Sequence, residues 1–98
     1  MDGPDYSVIV PAYNEEALLP ATLERLRTSM EALPDFRGEL IVVDNASTDR
    51  TAELAAAAGA TLVPEPHRQI ARARNAGASV SHGRYLVFVD ADTSITPE

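Results

Sequence analysis

Two carboxylates separated by one residue, Asp90 and Asp92, follow a short apolar run near the end of the 98-residue chain. Residues i and i+2 of an extended segment project to the same side, so this spacing presents both carboxylates to one hard cation. Magnesium or manganese held by one or two carboxylates, with water and substrate phosphate completing the shell, binds nucleoside diphosphates in this way. The other interpretation is a solvated turn in which Asp92 caps the following segment.

Two further apolar runs also end in polar residues. The first run reaches Pro11 and is followed by residues 12–16 (AYNEE), and the second stops at Asp44 and Asn45. Ligands of open parallel sheets bind in the crevice beyond the carboxyl ends of the strands, so these polar groups and the aspartate pair are expected at one edge. Asp44 also suits ordinary turn chemistry with the Ser and Thr that follow it.

The first of these loops offers groups that suit a nucleoside. Tyr13 presents an aromatic face on which a nucleobase can stack, which contributes about 1–3 kcal/mol per base. Covering the core is the alternative role for a tyrosine in this position. Glu15 and Glu16 precede a helix and either complement its positive end or lie near a ribose hydroxyl.

The arginines in one segment contrast with the acidic remainder of the chain. The formal net charge is −7, yet residues 67–84 contain four arginines and no acid. This pattern argues against general nucleic-acid binding and favours one local anionic ligand. Arg68 and Arg72 are four residues apart and Arg74 lies on another helical face, so one or two guanidiniums are expected at a diphosphate. A solvated basic helix surface is the alternative.

Alternating strands and helices must position these groups. Apolar runs without a helical period predict strands over residues 6–10, 40–43, 61–63 and 85–89, the last of them buried. Apolar residues at helical spacing, capping residues and glycine stops predict helices over residues 19–32 and 69–81, and between them a helix that is capped by Ser47, Thr48 or Asp49 and continues to Ala58. Gly77 is expected to let the last helix pack closely against the sheet. The alternation indicates a parallel α/β sheet with right-handed crossovers.

The composition excludes several kinds of site. The chain has no cysteine and two histidines, so neither a disulfide framework nor a zinc centre is predicted. No apolar run approaches the roughly 20 residues that cross a bilayer, and the acidic start differs from a cationic signal peptide. We therefore expect a cytoplasmic chain with no membrane segment and no nucleic-acid partner, although a full-length protein containing it could be membrane-associated.

Four ordered segments of the chain resemble the family 2 glycosyltransferases of the GT-A fold. They are residues 8–16 (VIVPAYNEE), 39–49 (ELIVVDNASTD), 73–77 (ARNAG) and 83–92 (GRYLVFVDAD). The resemblance covers nearly the whole chain. It implies the Rossmann-like, nucleotide-binding half of a GT-A domain, with a mostly parallel sheet of about four strands and alternating helices.

The resemblance implies roles for the residues that follow the first two strands. The nucleotide-sugar site would include Pro11, Ala12 and Tyr13. Of these, Ala12 and Tyr13 would line the base. Glu15 would lie near the ribose, and Asp44 would bond the edge of the nucleobase. Members commonly have two acids in succession where this chain has Asp44 and Asn45, so the departure leaves Asp44 as the charged residue.

The metal and diphosphate site is implied at the end of the last strand. Asp90 and Asp92 would form a D-x-D site for Mg²⁺ or Mn²⁺, with Asp92 touching the metal and Asp90 nearer the ribose or a metal-bound water. The basic group of the family varies in position. Arg68, Arg72 and Arg74 therefore share the expected contact with the donor.

The implied activity is metal-dependent transfer of a sugar from a nucleoside-diphosphate sugar, with a UDP-sugar favoured over a GDP-sugar and inversion at the anomeric carbon. The acceptor is a sugar, a lipid carrier or a protein. The resemblance places the catalytic base beyond Glu98, so residues 1–98 are expected to be the nucleotide-sugar-binding portion, without the acceptor portion and inactive alone. An exposed sheet edge would favour self-association.

Other classes of protein fit less well. A non-catalytic nucleotide-sugar-binding or assembly module is the alternative, because the region that would supply the catalytic base is missing. A phospho-acceptor signalling domain is disfavoured because its acidic cluster, threonine and lysine at successive strand ends are absent. A dinucleotide dehydrogenase is disfavoured because no G-x-G-x-x-G follows the first strand.

Overall fold

A computed structural model describes residues 3–91 of the chain. Strands and helices alternate in the order β1 (Tyr6–Ala12), α1 (Leu19–Glu31), β2 (Gly38–Asp44), α2 (Thr51–Ala57), β3 (Thr61–Pro64), α3 (Ile70–Val80) and β4 (Tyr85–Phe88). All strand pairs are parallel, and the sheet order is β3-β2-β1-β4. The predicted α/β class is thereby confirmed. In this described range no helix is both long enough and apolar enough to span a bilayer.

Apolar side chains build a core on both faces of the sheet. On the face covered by α1 and α2, the buried residues are Val8, Val10, Ala12, Leu19, Leu23, Leu40, Val42, Ala55 and Ala91. On the face covered by α3, they are Ile9, Ile41, Val43 and Ala73. Because β1 and β2 are covered on both faces, they are apolar at nearly every position rather than at alternate ones.

Small residues bring α3 close to the sheet, as predicted for Gly77. A Cβ atom at this position would lie 2.4 Å from Ile9 Cγ2 and 3.0 Å from Val43 Cγ2. Ala73, one turn earlier on the same face, is fully buried. The close approach places the first half of α3 beside the carboxyl ends of β1 and β2, where its other face can contribute to a site.

β1 continues through Pro11 to Ala12, two residues beyond its predicted end. Residues of a parallel strand bond alternately to its two neighbours, and the Ala12 carbonyl accepts from the Asn45 N–H on the β2 side. Pro11 therefore faces the β4 side, where pairing has already ended at Ile9 and Phe88. The missing N–H of proline costs no ladder hydrogen bond there, so the strand extends.

β4 is an edge strand, and the expectation that it is buried is wrong. Its residues Tyr85, Leu86, Val87 and Phe88 are 67%, 42%, 44% and 43% exposed, respectively. Within the described sheet its one neighbour is β1. An apolar run shows that a strand forms but not whether the strand lies at the centre or at the edge of a sheet, because that depends on chain topology.

A hydrogen-bonded cluster closes the amino-terminal edge of the sheet. The Ser7 hydroxyl donates to Glu39 Oε2 over 2.5 Å and accepts from the Gly83 N–H over 2.8 Å. The His82 N–H donates to the same Glu39 oxygen over 2.6 Å. Burial acts to raise the pKa of Glu39, but the hydrogen bonds from Ser7 and His82 outweigh it, and the pKa lies below its ordinary value. The cluster ties the α3–β4 connection to β1 and β2.

Candidate functional site

A cleft of about 310 Å³ opens at the carboxyl edge of the sheet, where β1, β2 and β4 end. It is lined by Pro11, Ala12, Tyr13, Glu15, Asn45, Ile70, Arg74, Asp90 and Ala91. Six of these residues are sequence-predicted site residues that come from three separate segments: Pro11, Ala12, Tyr13, Glu15, Arg74 and Asp90. The structure therefore gathers most of the predicted set into one crevice, at the position where open parallel sheets bind ligands.

Backbone contacts on both sides of Asp90 set its position. The Val89 N–H donates to the Ile9 carbonyl over 3.0 Å and continues the β1–β4 ladder by one bond. The buried carbonyl of Ala91 accepts from the Thr22 hydroxyl over 3.1 Å, which ties the end of β4 to α1. Asp90 lies between these two anchors, so its carboxylate is held at the cleft while remaining 59% exposed.

Arg74 and Asp90 place opposite charges on the wall of the cleft. A guanidinium nitrogen of Arg74 lies 4.0 Å from Asp90 Oδ1, and both side chains are about half exposed. The Arg74 guanidinium also lies 5.7 Å from the centre of the Phe88 ring. An exposed ion pair at this distance contributes little, so both groups can exchange it for a ligand at small cost. Guanidinium suits phosphate oxygens, and carboxylate suits a hydroxyl or a hard cation.

The three predicted arginines have different surroundings. Arg68 lies over the Tyr13 ring, with its guanidinium carbon 3.7 Å from the ring centre. Arg72 instead donates from Nε to the Gln69 side chain over 3.0 Å, on an exposed stretch of α3 that does not line the cleft. Arg74 is the arginine that lines it. Helical spacing could not show which of the three arginines lines the cleft, because it does not show which face of α3 meets the sheet.

Asp44 occupies the end of β2 without lining the cleft. One of its oxygens accepts from the Ser47 N–H over 3.1 Å, which is the turn chemistry weighed for this residue. The following residue, Asn45, is 7% exposed and does line the cleft. The sequence predicted Asn45 at this edge of the sheet, but it gave the residue no role beyond a departure from the family pattern. The signal that could have identified it is an amide placed directly after a buried strand.

Hydrogen bonds between two loops shape the side of the cleft near Tyr13. Asn14 accepts from the Thr48 N–H over 2.8 Å and donates its own N–H to the Ser47 hydroxyl over 2.9 Å. The Glu15 N–H donates to the buried Thr51 hydroxyl over 2.8 Å. Asn14 and Ala46 adopt φ values of 50° and 65°, which are uncommon for residues with a side chain. The network holds the β1–α1 loop against the β2–α2 loop.

Two acidic residues of these loops, Glu16 and Asp49, accept hydrogen bonds at the start of α2. Glu16 was expected either to complement the start of α1 or to reach a ribose. Its Oε1 instead accepts from the Arg50 N–H over 3.0 Å at the start of α2. Burial acts to raise the pKa of Asp49, but hydrogen bonds from the Thr51 side chain and backbone lower it overall. Both acids therefore stabilise loop geometry.

Asp90 and Asp92 are the carboxylates predicted at the metal site. Asp92, the residue expected to touch the metal, lies outside the described residues. Within residues 3–91 no group of three or more His, Cys, Asp or Glu side chains could hold a metal ion. Asp90 is the carboxylate of the predicted pair that the structure describes, and it faces a cleft with room for water and phosphate. Such a donor set fits Mg²⁺ or Mn²⁺, which commonly use one or two carboxylates and substrate oxygens.

Sequence comparisons identify relatives of the chain. Residues 7–98 match the sequence profile described as Glycosyl transferase family 2. An uncharacterized glycosyltransferase of Mycobacterium tuberculosis is 38% identical over 95 residues, which cover 97% of this chain and 40% of the relative. The undecaprenyl-phosphate 4-deoxy-4-formamido-L-arabinose transferase of Pseudomonas paraeruginosa is 37% identical over 100 residues, covering 94% of this chain and 29% of the relative. The chain thus spans well under half the length of these relatives.

Solved structures share the same fold. The glucosyl-3-phosphoglycerate synthase of Mycobacterium tuberculosis in complex with Mn²⁺, UDP and glucosyl-3-phosphoglycerate has a TM-score of 0.74 and 34% identity, covering 92% of this chain and 34% of that chain. Its complex with UDP gives a TM-score of 0.76 at 34% identity, over 94% of this chain and 35% of that chain. These likenesses confirm the Rossmann-like GT-A fold expected from the sequence.

Proposed function

Because the chain belongs to glycosyl transferase family 2, we propose that it binds the donor for transfer of a sugar from a nucleoside-diphosphate sugar, with a UDP-sugar preferred to a GDP-sugar. The observation that carries the proposal is the cleft in which Tyr13, Arg74 and Asp90 lie together. The superposable synthase was also solved with Mn²⁺, UDP-glucose and phosphoglyceric acid, which supports a uridine donor.

The arrangement of the cleft suggests how the donor lies. Tyr13 is proposed to provide the aromatic surface for the base, and Glu15, which lines the same cleft, to lie near the ribose. Arg74 and Asp90, which lie 4.0 Å apart in the same cleft, would meet the diphosphate and its cation. A diphosphate entering this cleft would replace the loose Arg74–Asp90 pair with a charge-assisted hydrogen bond to the guanidinium. Asp44, at the end of β2 but not among the residues that line this cleft, is proposed to bond the edge of the nucleobase.

The proposal includes Mg²⁺ or Mn²⁺ as a cofactor, held by Asp92 with Asp90 nearer the ribose or a metal-bound water. When bound, such a cation offsets the negative charge that develops on the departing nucleoside diphosphate. Arg74 would supply a fixed positive charge to the same diphosphate, and the cleft walls Pro11 and Ala12 would exclude water from one side of it.

Sugar transfer itself is proposed to need more of a longer protein. Residues 1–98 are proposed to be the nucleotide-sugar-binding portion, because Glu15 and Asp90, the carboxylates among the described residues that line the cleft, are both proposed to serve the donor. The catalytic base and the acceptor site, for a sugar, lipid carrier or protein, would come from further sequence, with inversion at the anomeric carbon. The 98-residue chain alone is expected to bind the donor and not to turn it over. A non-catalytic donor-binding module is distinguished from this by the absence of transfer in the longer protein.

Calorimetric titration with UDP, in the presence and absence of Mn²⁺, tests the proposal. We expect Arg74→Gln to weaken UDP binding by roughly tenfold or more, since hydrogen bonds to charged groups contribute about 1.5–3 kcal/mol. Arg72→Gln is the matched control, because it removes the same charge from the same helix away from the cleft. Asp92→Asn is expected to remove most of the gain in affinity that Mn²⁺ produces.

Two results would count against these assignments. Equal UDP affinity with and without Mn²⁺, or in Asp92→Asn, would remove the proposed metal role. Equal losses in Arg72→Gln and Arg74→Gln would show that UDP responds to the overall charge of α3 rather than to the cleft.

A further inference from the structure

The Asn45 side chain connects two distant parts of the chain. Its Nδ2 amide donates to the carbonyl of Glu65 over 2.9 Å and to the carbonyl of His67 over 2.6 Å. Its backbone N–H donates to the Ala12 carbonyl over 2.8 Å. The residue is 7% exposed, so these bonds are shielded from solvent. One buried amide therefore joins the ends of β1 and β2 to the connection between β3 and α3.

The tethered connection leads directly to Arg68. A further bond, from the Glu65 N–H to the Asp44 carbonyl over 2.9 Å, holds the start of the same connection against β2. The Glu65 carboxylate also accepts from the His67 N–H over 3.0 Å, and this hydrogen bond lowers the pKa of Glu65. Arg68 is the next residue, and its guanidinium lies over the Tyr13 ring. The path of residues 65–67 thus determines the position of the Arg68 backbone, from which the side chain extends.

The chemistry of the contact requires an amide. Both acceptors are backbone carbonyls, so residue 45 must supply two N–H donors at this position. Aspartate has the same shape but, when ionised, accepts only. Its carboxylate would face the carbonyl oxygens of Glu65 and His67 in a buried place. The carboxylate and the Glu65 carbonyl would then lose this hydrogen bond, whereas the His67 carbonyl still accepts from the Gln69 N–H over 2.7 Å, and the arrangement carries a desolvation penalty.

We propose that Asn45 is a positioning residue, whose amide holds the β3–α3 connection so that Arg68 stacks on Tyr13 and completes the nucleobase end of the cleft. The positioning of Arg68 stands on the contacts described here, and its consequence for UDP rests on the proposed function. A base that stacks on Tyr13 would meet a ring whose other face is covered by the Arg68 guanidinium, and this contact holds the ring in place.

Nuclear magnetic resonance of the unmodified chain gives the first test. We expect the Arg68 side-chain protons to be shifted upfield by the Tyr13 ring relative to those of Arg72. We also expect the Asn45 side-chain amide protons to exchange with solvent more slowly than those of exposed Asn75. An unshifted Arg68, or Asn45 amide protons that exchange as fast as those of Asn75, would overturn the proposal without any variant.

The Asn45→Asp variant gives the second test, in protein whose backbone spectrum shows that the fold is retained. The Arg68 resonances are expected to move to the Arg72 values, whereas Asn75→Asp, which adds the same charge on exposed α3, leaves them unchanged. In a chain that already carries Tyr13→Leu, Asn45→Asp should cause no further shift of the Arg68 resonances. A folded Asn45→Asp chain with unchanged Arg68 resonances contradicts the proposal. If Asn45→Asp does not fold, Asn45→Ser, which retains one donor, is measured in the same way.

Nucleotide titration separates this inference from the proposed function. Asn45→Asp and Arg68→Gln are both expected to weaken UDP binding by a similar factor and to leave inorganic pyrophosphate binding unchanged, because the tether acts at the base end. An unmodified chain that binds no UDP refutes the proposed function, while the Arg68 resonances still decide the role of Asn45. Equal losses for UDP and pyrophosphate would refute the assignment of Asn45 to the base end.

Discussion

Individual carboxylates at the two edges of the sheet have different surroundings. The Asp90 side chain is 59% exposed and has one loose ionic partner, Arg74 at 4.0 Å. The Glu39 side chain is 22% exposed and accepts short hydrogen bonds from Ser7 and His82. A long, solvent-exposed ion pair is readily exchanged for a ligand, whereas a set of short hydrogen bonds that are shielded from solvent is costly to break. Asp90 is therefore suited to a ligand and Glu39 to stability.

Glu39 is predicted to make folding sensitive to acid. Its pKa is lowered below the ordinary value of 4.5 in the folded chain, so the unfolded chain binds the proton more tightly. This contribution to stability is present above about pH 4.5 and is lost as the pH falls through the lower, folded-state value. Glu39→Gln should therefore flatten the fall in the free energy of unfolding on acidification, measured by urea denaturation.

Glu31→Gln, at an exposed position on α1, is the control for this prediction. It removes one carboxylate without removing the Ser7 and His82 hydrogen bonds. A Glu39→Gln chain that loses stability with acid as steeply as the Glu31→Gln chain would refute the assignment.

At the level of elements, α3 links the core to the cleft. Ala73 and Gly77 face the sheet on one side of the helix, and Ile70 and Arg74 reach the cleft. The absence of a side chain at Gly77 sets the distance between helix and sheet. The same packing contact that stabilises the helix therefore determines how far Arg74 extends over the strand ends.

Gly77→Ala is predicted to destabilise the chain by about 1–3 kcal/mol, as overpacked cores generally are. The added methyl would meet Ile9 and Val43 side chains at 2.4 and 3.0 Å, which outweighs the gain in helix propensity of about 1 kcal/mol. Thermal and urea unfolding measure the effect. Ala71→Gly, the reverse change at an exposed position of the same helix, isolates propensity and should cost about 1 kcal/mol. A stabilised Gly77→Ala chain would show that the helix can move away freely.

The order and type of every described element could be predicted from the sequence, because strand and helix periodicities are local properties. The two errors concern the end of β1 and the burial of β4, and both features are determined by the neighbouring strands. β1 passes through Pro11 since β4 no longer pairs with it there, and β4 is exposed since it lies at the edge. Both facts depend on the sheet order, which the hydrophobic pattern does not encode.

For the whole molecule, the described sheet has two different edges. β3 ends in Pro64, which cannot donate a ladder hydrogen bond, and its Leu62 is 36% exposed. β4 presents four consecutive apolar residues and no proline. Long apolar edges without proline or charge favour pairing with another strand. β4 is thus the edge through which a chain of this length would associate.

We predict concentration-dependent self-association of the 98-residue chain through β4, measured by sedimentation velocity. Leu86→Lys should shift the chain toward monomer, because a lysine on an edge strand disfavours further pairing. Leu62→Lys on β3 is the matched control and should leave the association unchanged. A monomer at every concentration, or equal effects of the two lysines, would contradict the role of β4.

The sequence by itself determined the alternation of parallel strands and helices, and it assigned the polar groups to one edge of the sheet. The tertiary structure decided which of them meet. Arg74 lines the cleft, Arg68 covers Tyr13 and Arg72 does neither. The buried amide of Asn45 joins segments 20 and 22 residues away. Periodicity reports the face of one element, whereas these contacts depend on how separate elements and loops pack against one another.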